Sequence, residues 1–139
     1  MKDGKIKVNR DTTRIQVNDK GDSIEIDFNN QSFVENIIKI YDYSKNNRPK
    51  FDDSSKSSIE KISSLFKYNN EILNLIDKTF GENSVIKIFG IKHPTEDLVL
   101  DFIIQLKPYI EKAIEEKKKK VEMQQKEYQK RALSRESVR

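Results

Sequence analysis

Apolar and polar positions alternate through RIQVNDKGDSIEIDF, residues 14–28, and the alternation breaks only at NDKG. A period of two marks strands with one buried face. It puts Ile15 and Val17 on one face of a first strand, and Ile24, Ile26 and Phe28 on one face of a second. Asn18 and Asp19 suit the early turn positions, and Gly21 can take the positive φ of a bulged hairpin. Upstream, KIKVNR echoes RIQVND and predicts either a third strand or a frayed start of the same composition.

After Phe28 the period becomes helical. Ser32-Phe33-Val34-Glu35 has the form of a capping box, in which the hydroxyl and the carboxylate satisfy orphan amides of a new helix. Phe33, Ile37, Ile40 and Tyr41 follow at helical spacing, with Val34 and Ile38 widening the stripe, and predict a helix to about Lys45. NNRPKFDDSSKSS reads as an exposed loop. A second box, Ser57-Ser58-Ile59-Glu60, opens a longer run in which Ile59, Ile62, Phe66, Asn69, Leu73, Ile76 and Phe80 recur at steps of three and four. That is a heptad seam, and its one polar member, Asn69, either fixes register against a partner helix or sits at the edge of a buried stripe. Leu65, Ile72 and Leu75 broaden the stripe and favour an ordinary core helix.

FGENSVIKIFG, residues 80–90, sets two glycines around a short apolar run. Gly81 is expected to stop the preceding helix in a left-handed cap, Glu82 or Asn83 to begin another turn, and Gly90 to end it. Pro94 suits the first position of a last helix, with Glu96 and Asp97 favourable near its positive end. Leu98, Val99, Phe102, Ile103, Leu106, Ile110, Ala113 and Ile114 form the apolar face of that helix, and Pro108 should kink it. Beyond Ile114 only Val121, Met123, Tyr128, Leu133 and Val138 remain as scattered apolar residues. This predicts a fraying helical extension, disordered near its end. The fold class is therefore mainly α with a small N-terminal β-hairpin (α+β), a compact helical body, and a long C-terminal helix with a basic extension. Residues 1–12 form a flexible start or extra strand, 13–114 one hairpin-plus-helices domain, and 115–139 a charged helical or disordered tail.

Composition narrows the chemistry. In 139 residues, 35% hydrophobic content suffices for a modest core, while 36% charged residues and a mean hydropathy of -0.82 demand extensive solvated surface. There is no cysteine, so disulfides and thiolate chemistry are excluded, which fits a cytoplasmic protein. No apolar run approaches a membrane span, and MKDGKIKVNRDTT lacks the apolar centre of a signal peptide. The net charge of +4 is uneven: residues 112–139 hold ten basic and five acidic side chains, leaving 17 basic and 18 acidic in residues 1–111. The body is near neutral and the tail carries the basicity.

Candidate catalytic signals fall away one by one. The two glycines of FGENSVIKIFG have neither the spacing of a nucleotide-binding loop nor that of the dinucleotide fingerprint, so they punctuate a helix. His93 is the single histidine and lies beside Pro94 at a predicted helix start; with no partner to activate a Ser or Thr, no catalytic residue is assigned and the chain is read as non-enzymatic. Asp52 and Asp53 lack converging ligands, so neither a metal nor any other cofactor is expected. The run Lys117 to Lys120 could meet nucleic acid, but glutamates flank it and no aromatic interleaving of the base-stacking kind accompanies it. It reads first as a solvated helix face, and a small nucleic-acid-binding or regulatory protein acting through the basic tail stands as the alternative.

Across residues 14–114 the hairpin RIQVNDKGDSIEIDF, the two amphipathic helices, IDKTFGENSVIKIFG and LVLDFI together resemble the phage tail assembly chaperones of Firmicutes siphophages and prophages. The resemblance rests on Phe80, Gly81, Ile88, Phe89, Gly90 and Phe102. It implies a non-enzymatic assembly factor in the bacterial host cytoplasm that binds the tape measure protein, and in some cases tail tube subunits, often as multiple copies and with no membrane. Partner-binding residues would be drawn from the apolar Phe33, Ile37, Tyr41, Phe66, Leu73 and Phe80, those not consumed by the core, while Gly21, Gly81, Gly90 and Pro94 punctuate the structure. The long basic tail is a departure from the family pattern.

Overall fold

The computed structural model describes residues 3–50, 52 and 54–137, and side chains as far as residue 133. The chain is mainly helical, with a two-stranded N-terminal hairpin and a long C-terminal helix, in agreement with the pattern of the sequence. The elements are β1 (Thr13–Gln16), β2 (Ser23–Ile26), α1 (Gln31–Asn46), α2 (Ser58–Phe80), α3 (Ser84–Phe89) and α4 (Glu96–Ser137). Packing divides the chain into two compact units, Met1–Phe102 and Ile103–Arg139.

The first unit begins with the hairpin. β1 and β2 are antiparallel, with Thr13 opposite Ile26 and Ile15 opposite Ile24, and the Val17 amide closes the turn onto the Asp22 carbonyl at 2.9 Å. Asn18 shapes the turn by accepting from the amides of Lys20 and Asp22, and Gly21 takes φ 90°, a value that L side chains rarely adopt. Ile24 and Ile26 are buried while Glu25 between them is exposed, which is the alternation read from the sequence. KIKVNR adds no third strand: residues 3–12 carry no regular structure, and Ile6 and Val8 are exposed. This stretch is held at its end, where Arg10 pairs with the buried Asp27, the Asn29 side-chain amide donates to the Asp11 carbonyl, and the Thr12 hydroxyl donates to Glu25.

The helix ends correct three expectations. Asn30, not Ser32, caps α1: its side-chain oxygen accepts from the Ser32 amide at 3.0 Å, and Glu35 instead accepts from the side chain of Gln31. The box pattern was displaced because Asn30 is an equally good cap and lies two residues earlier. At α2 the expected cap forms, with the Ser57 hydroxyl accepting from the Glu60 amide. Gly81 ends α2, but at φ 112° and ψ 161°, a positive-φ extended conformation; the left-handed cap belongs to Gly90, at φ 78° and ψ -5°. Asn83, also left-handed, precedes α3. Pro94 is not the first residue of α4. It is fully buried two residues ahead of Glu96, and the Thr95 carbonyl receives the first amides, those of Leu98 and Val99.

α1 and α2 pack antiparallel. Phe33 in the first turn of α1 meets Phe80 in the last turn of α2 edge to face, 5.7 Å between ring centroids. At the other end Tyr43 stacks on Tyr68, and the Tyr68 hydroxyl donates to the Ser44 carbonyl at 2.6 Å. Burial holds the Tyr68 phenol above its usual pKa, so it stays a donor. Ile40 and Ile76 are completely buried, each such side chain contributing roughly 1.5–3 kcal/mol. Five phenylalanines then form a chain of edge-to-face contacts in the order Phe28, Phe33, Phe80, Phe102 and Phe89. It ties the end of the hairpin, the α1–α2 pair, α3 and the start of α4 into one core. Asn69 is part of this interior: it is buried, and its side-chain amide donates to the Pro94 carbonyl at 2.7 Å, so its polarity serves a contact within the chain.

The second unit is helical as far as Ser137. α4 runs without interruption through Pro108, whose missing amide leaves the Ile104 carbonyl without its usual donor. Ile103, Leu106 and Ile110 are buried along it. Of the two alternatives for the tail, the chain takes the helical one as far as Ser137, as Lys, Glu, Gln and Arg all favour helix. Val138 lies outside the described residues, as does Asp53 of the loop between α1 and α2.

Candidate protein-binding surface

α2 has 23 residues and α1 has 16. Since the end of α1 lies beside Tyr68, the part of α2 from Ser58 to Lys67 runs past its partner. The heptad seam continues into this overhang, where nothing in α1 can cover it. Ile59 is 80% exposed, Ile62 46% and Phe66 54%, while the seam's later members Leu73 and Ile76 are buried. At spacing i, i+3 and i+7 these three side chains lie on one face of the helix, and Leu65 beside them is half-buried. The outcome is an apolar stripe that passes from solvent into the core along a single helix.

The residues picked from the sequence as partner-binding do not form one surface. Phe33, Ile37 and Leu73 are buried core, Tyr41 and Phe80 are half-buried, and Phe66 alone is exposed. Ile59 and Ile62 complete the exposed stripe and were missed. Their signal was the unequal length of the two amphipathic runs, which leaves one helix end without a neighbour.

The charge around the stripe is mostly basic, from Lys56, Lys61 and Lys67 against Glu60. Nearby, Arg48 binds Glu96 through Nε and Nη2 at 3.0 and 2.8 Å, anchoring the loop after α1 to the first turn of α4. The contact raises the Arg48 pKa.

An open cleft of about 450 Å³ lies on another side of α2, lined by Asn70, Asn74, Asp77, Asn83, Lys92 and His93 among others. Asp77 is already committed there, accepting from the Val85 amide at 2.9 Å. His93 is exposed. Among the described residues no group of three or more His, Asp or Glu side chains is placed to hold a metal ion, and Asp52 is an exposed loop residue. No described helix is long and apolar enough to cross a membrane. Lys118 and Lys119 are exposed and Lys117 and Lys120 are half-buried, so the lysine run winds around α4 and does not form one face. Comparison with known proteins gives no matching family model, no matching curated protein and no matching solved structure.

Proposed function

We propose that this protein is a non-enzymatic tail assembly chaperone that binds the tape measure protein in the bacterial host cytoplasm. The observation that carries the reading is the exposed stripe of Ile59, Ile62 and Phe66 on the overhanging half of α2. An amphipathic helix of the tape measure protein would lay its apolar face on this stripe, in the manner of helix recognition by i, i+3 and i+7 anchors. Covering three side chains that are already partly shielded yields on the order of 3 kcal/mol before the costs of association, too little for tight binding by one copy. Many copies along one long helical partner would supply the rest through their combined valency, and would keep its apolar faces out of water as the tail grows. Tail tube subunits are the second partner that the resemblance implies.

Co-expression with a tape measure fragment tests the reading. A complex should form and survive moderate salt, because burial of apolar surface is not screened as ionic contacts are. Phe66→Asp together with Ile62→Asp should abolish it while leaving the helical content unchanged. Failure of the unsubstituted chain to capture any tape measure segment would overturn the proposal. Binding to duplex DNA with a steep salt dependence would favour the alternative of a nucleic-acid-binding protein.

A further inference from the structure

The second unit carries a pattern that the α2 surface does not use. Along α4, Ile110, Ile114, Lys117, Val121, Gln124 and Tyr128 are separated by steps of four, three, four, three and four. The mean step equals the 3.6-residue turn of a straight helix, so these six side chains hold one face over five turns. Ile110 is buried, whereas Ile114, Val121 and Tyr128, each seven residues from the next, are exposed. Three residues after each comes a polar side chain with donors, first Lys117, then Gln124, then Arg131. The face is therefore an apolar column with a polar column beside it that holds two cations, Lys117 and Arg131.

We propose that the face from Ile114 to Arg131 pairs with an acidic amphipathic helix of another protein. Apolar side chains of that helix would pack on Ile114, Val121 and Tyr128, and its Asp or Glu residues would meet Lys117 and Arg131. Charge disfavours the simplest alternative occupant, a second copy. The charged positions beside the apolar column, Lys117 and Arg131, are both cationic, and pairing two copies of the same face would set like charges beside the seam. The apolar column sets the site apart from a phosphate-binding helix, whose contacts are cationic without an apolar seam. So do Glu115, Glu116, Glu122 and Glu127, interleaved with the lysines. Arg131 pairs with Glu127 at 2.8 Å, an exposed contact weak enough to be exchanged for a partner's carboxylate. This inference does not depend on the chaperone reading, since it uses none of the α2 residues.

Synthetic three-heptad helical peptides with Leu at every seventh position test it against the full chain by fluorescence anisotropy. One carries Glu beside the leucines, one Lys, and one is a scramble of the Glu peptide. The Glu peptide should bind at least about tenfold more tightly than either other, a difference of roughly 1.4 kcal/mol. Lys117→Glu with Arg131→Glu should reverse the preference, and Val121→Asp should weaken binding of the Glu peptide. Val121 and Arg131 are exposed and Lys117 is half-buried, and circular dichroism verifies that each variant keeps its helix. Equal binding of the Glu peptide and its scramble would overturn the proposal. So would displacement of the Glu peptide by duplex DNA at equal charge concentration, or a dimer in sedimentation that Val121→Asp dissociates.

Discussion

Phe66 and Phe80 stand on one helix, in one seam, fourteen residues apart, yet the structure gives them opposite roles. Phe80 makes two edge-to-face contacts, with Phe33 at 5.7 Å and Phe102 at 6.0 Å. Each such pair contributes about 0.5–1.5 kcal/mol beyond burial. Replacing a packed phenylalanine by alanine costs about 3–5 kcal/mol, and partial exposure puts Phe80→Ala near the lower end, about 3 kcal/mol. Phe66 is 54% exposed and takes part in none of the aromatic contacts described, so Phe66→Ala should change stability by no more than about 0.5 kcal/mol. At roughly 3–4 °C per kcal/mol for a chain of this size, Phe80→Ala should lower Tm by about 10 °C and Phe66→Ala by less than about 2 °C. Thermal unfolding followed by far-ultraviolet circular dichroism measures both. A loss for Phe66→Ala of even half that for Phe80→Ala would mean that the overhanging part of α2 is packed against something, and the binding surface would be refuted with it.

Gly81 and Gly90 should respond differently to asparagine, which tolerates the left-handed region but not φ 112° with ψ 161°. Gly90→Asn should be nearly neutral and Gly81→Asn should cost about 1–3 kcal/mol in urea unfolding; equal costs would contradict the assigned caps. The hydrogen bonds from Arg10 hold the Asp27 carboxyl below its ordinary pKa. The pairing therefore contributes in full above the unfolded carboxylate value of about 3.9, and its contribution is lost as pH falls from there through the lowered folded value. Asp27→Asn should flatten the acid limb of a stability–pH profile, and an unchanged limb would show that the pair does not form. Removing residues 117–139 should reduce total helical signal while the first unit still melts cooperatively at nearly the same temperature, because none of its core residues lies there. A large drop in Tm would show that the extension supports that core.

Much of the architecture was legible from periodicity alone. The alternation around NDKG, the two helical runs and the glycines of FGENSVIKIFG each correspond to an observed element because local pattern and burial agree there. The misses arise where two local solutions compete. Asn30 and Ser32 are both good caps, and only the direction of the chain leaving the hairpin decides between them. Pro94 satisfied the rule for a first helical residue, yet its carbonyl is used by Asn69, a contact across 25 residues that no local pattern contains. The candidate site was half legible. Its seam was visible, but which half faced water depended on where α1 ends beside α2, a fact of tertiary packing. The 4-3 face on the C-terminal helix escaped notice because lysine, glutamine and arginine occupy alternate seam positions and dilute the apolar signal.

The chain of five phenylalanine rings also bears on how the protein is made. Synthesis delivers Phe28 first and Phe102 last, and two of the four ring contacts require Phe102. The hairpin and the α1–α2 pair can therefore associate early through Phe28, Phe33 and Phe80, but their apolar rim stays open until α4 begins to emerge. In that interval the nascent first unit exposes the same kind of surface by which unfinished domains associate wrongly. The helix that closes the core is also the one that goes on to carry the basic extension, so the late strand of translation both seals the fold and starts its most polar segment.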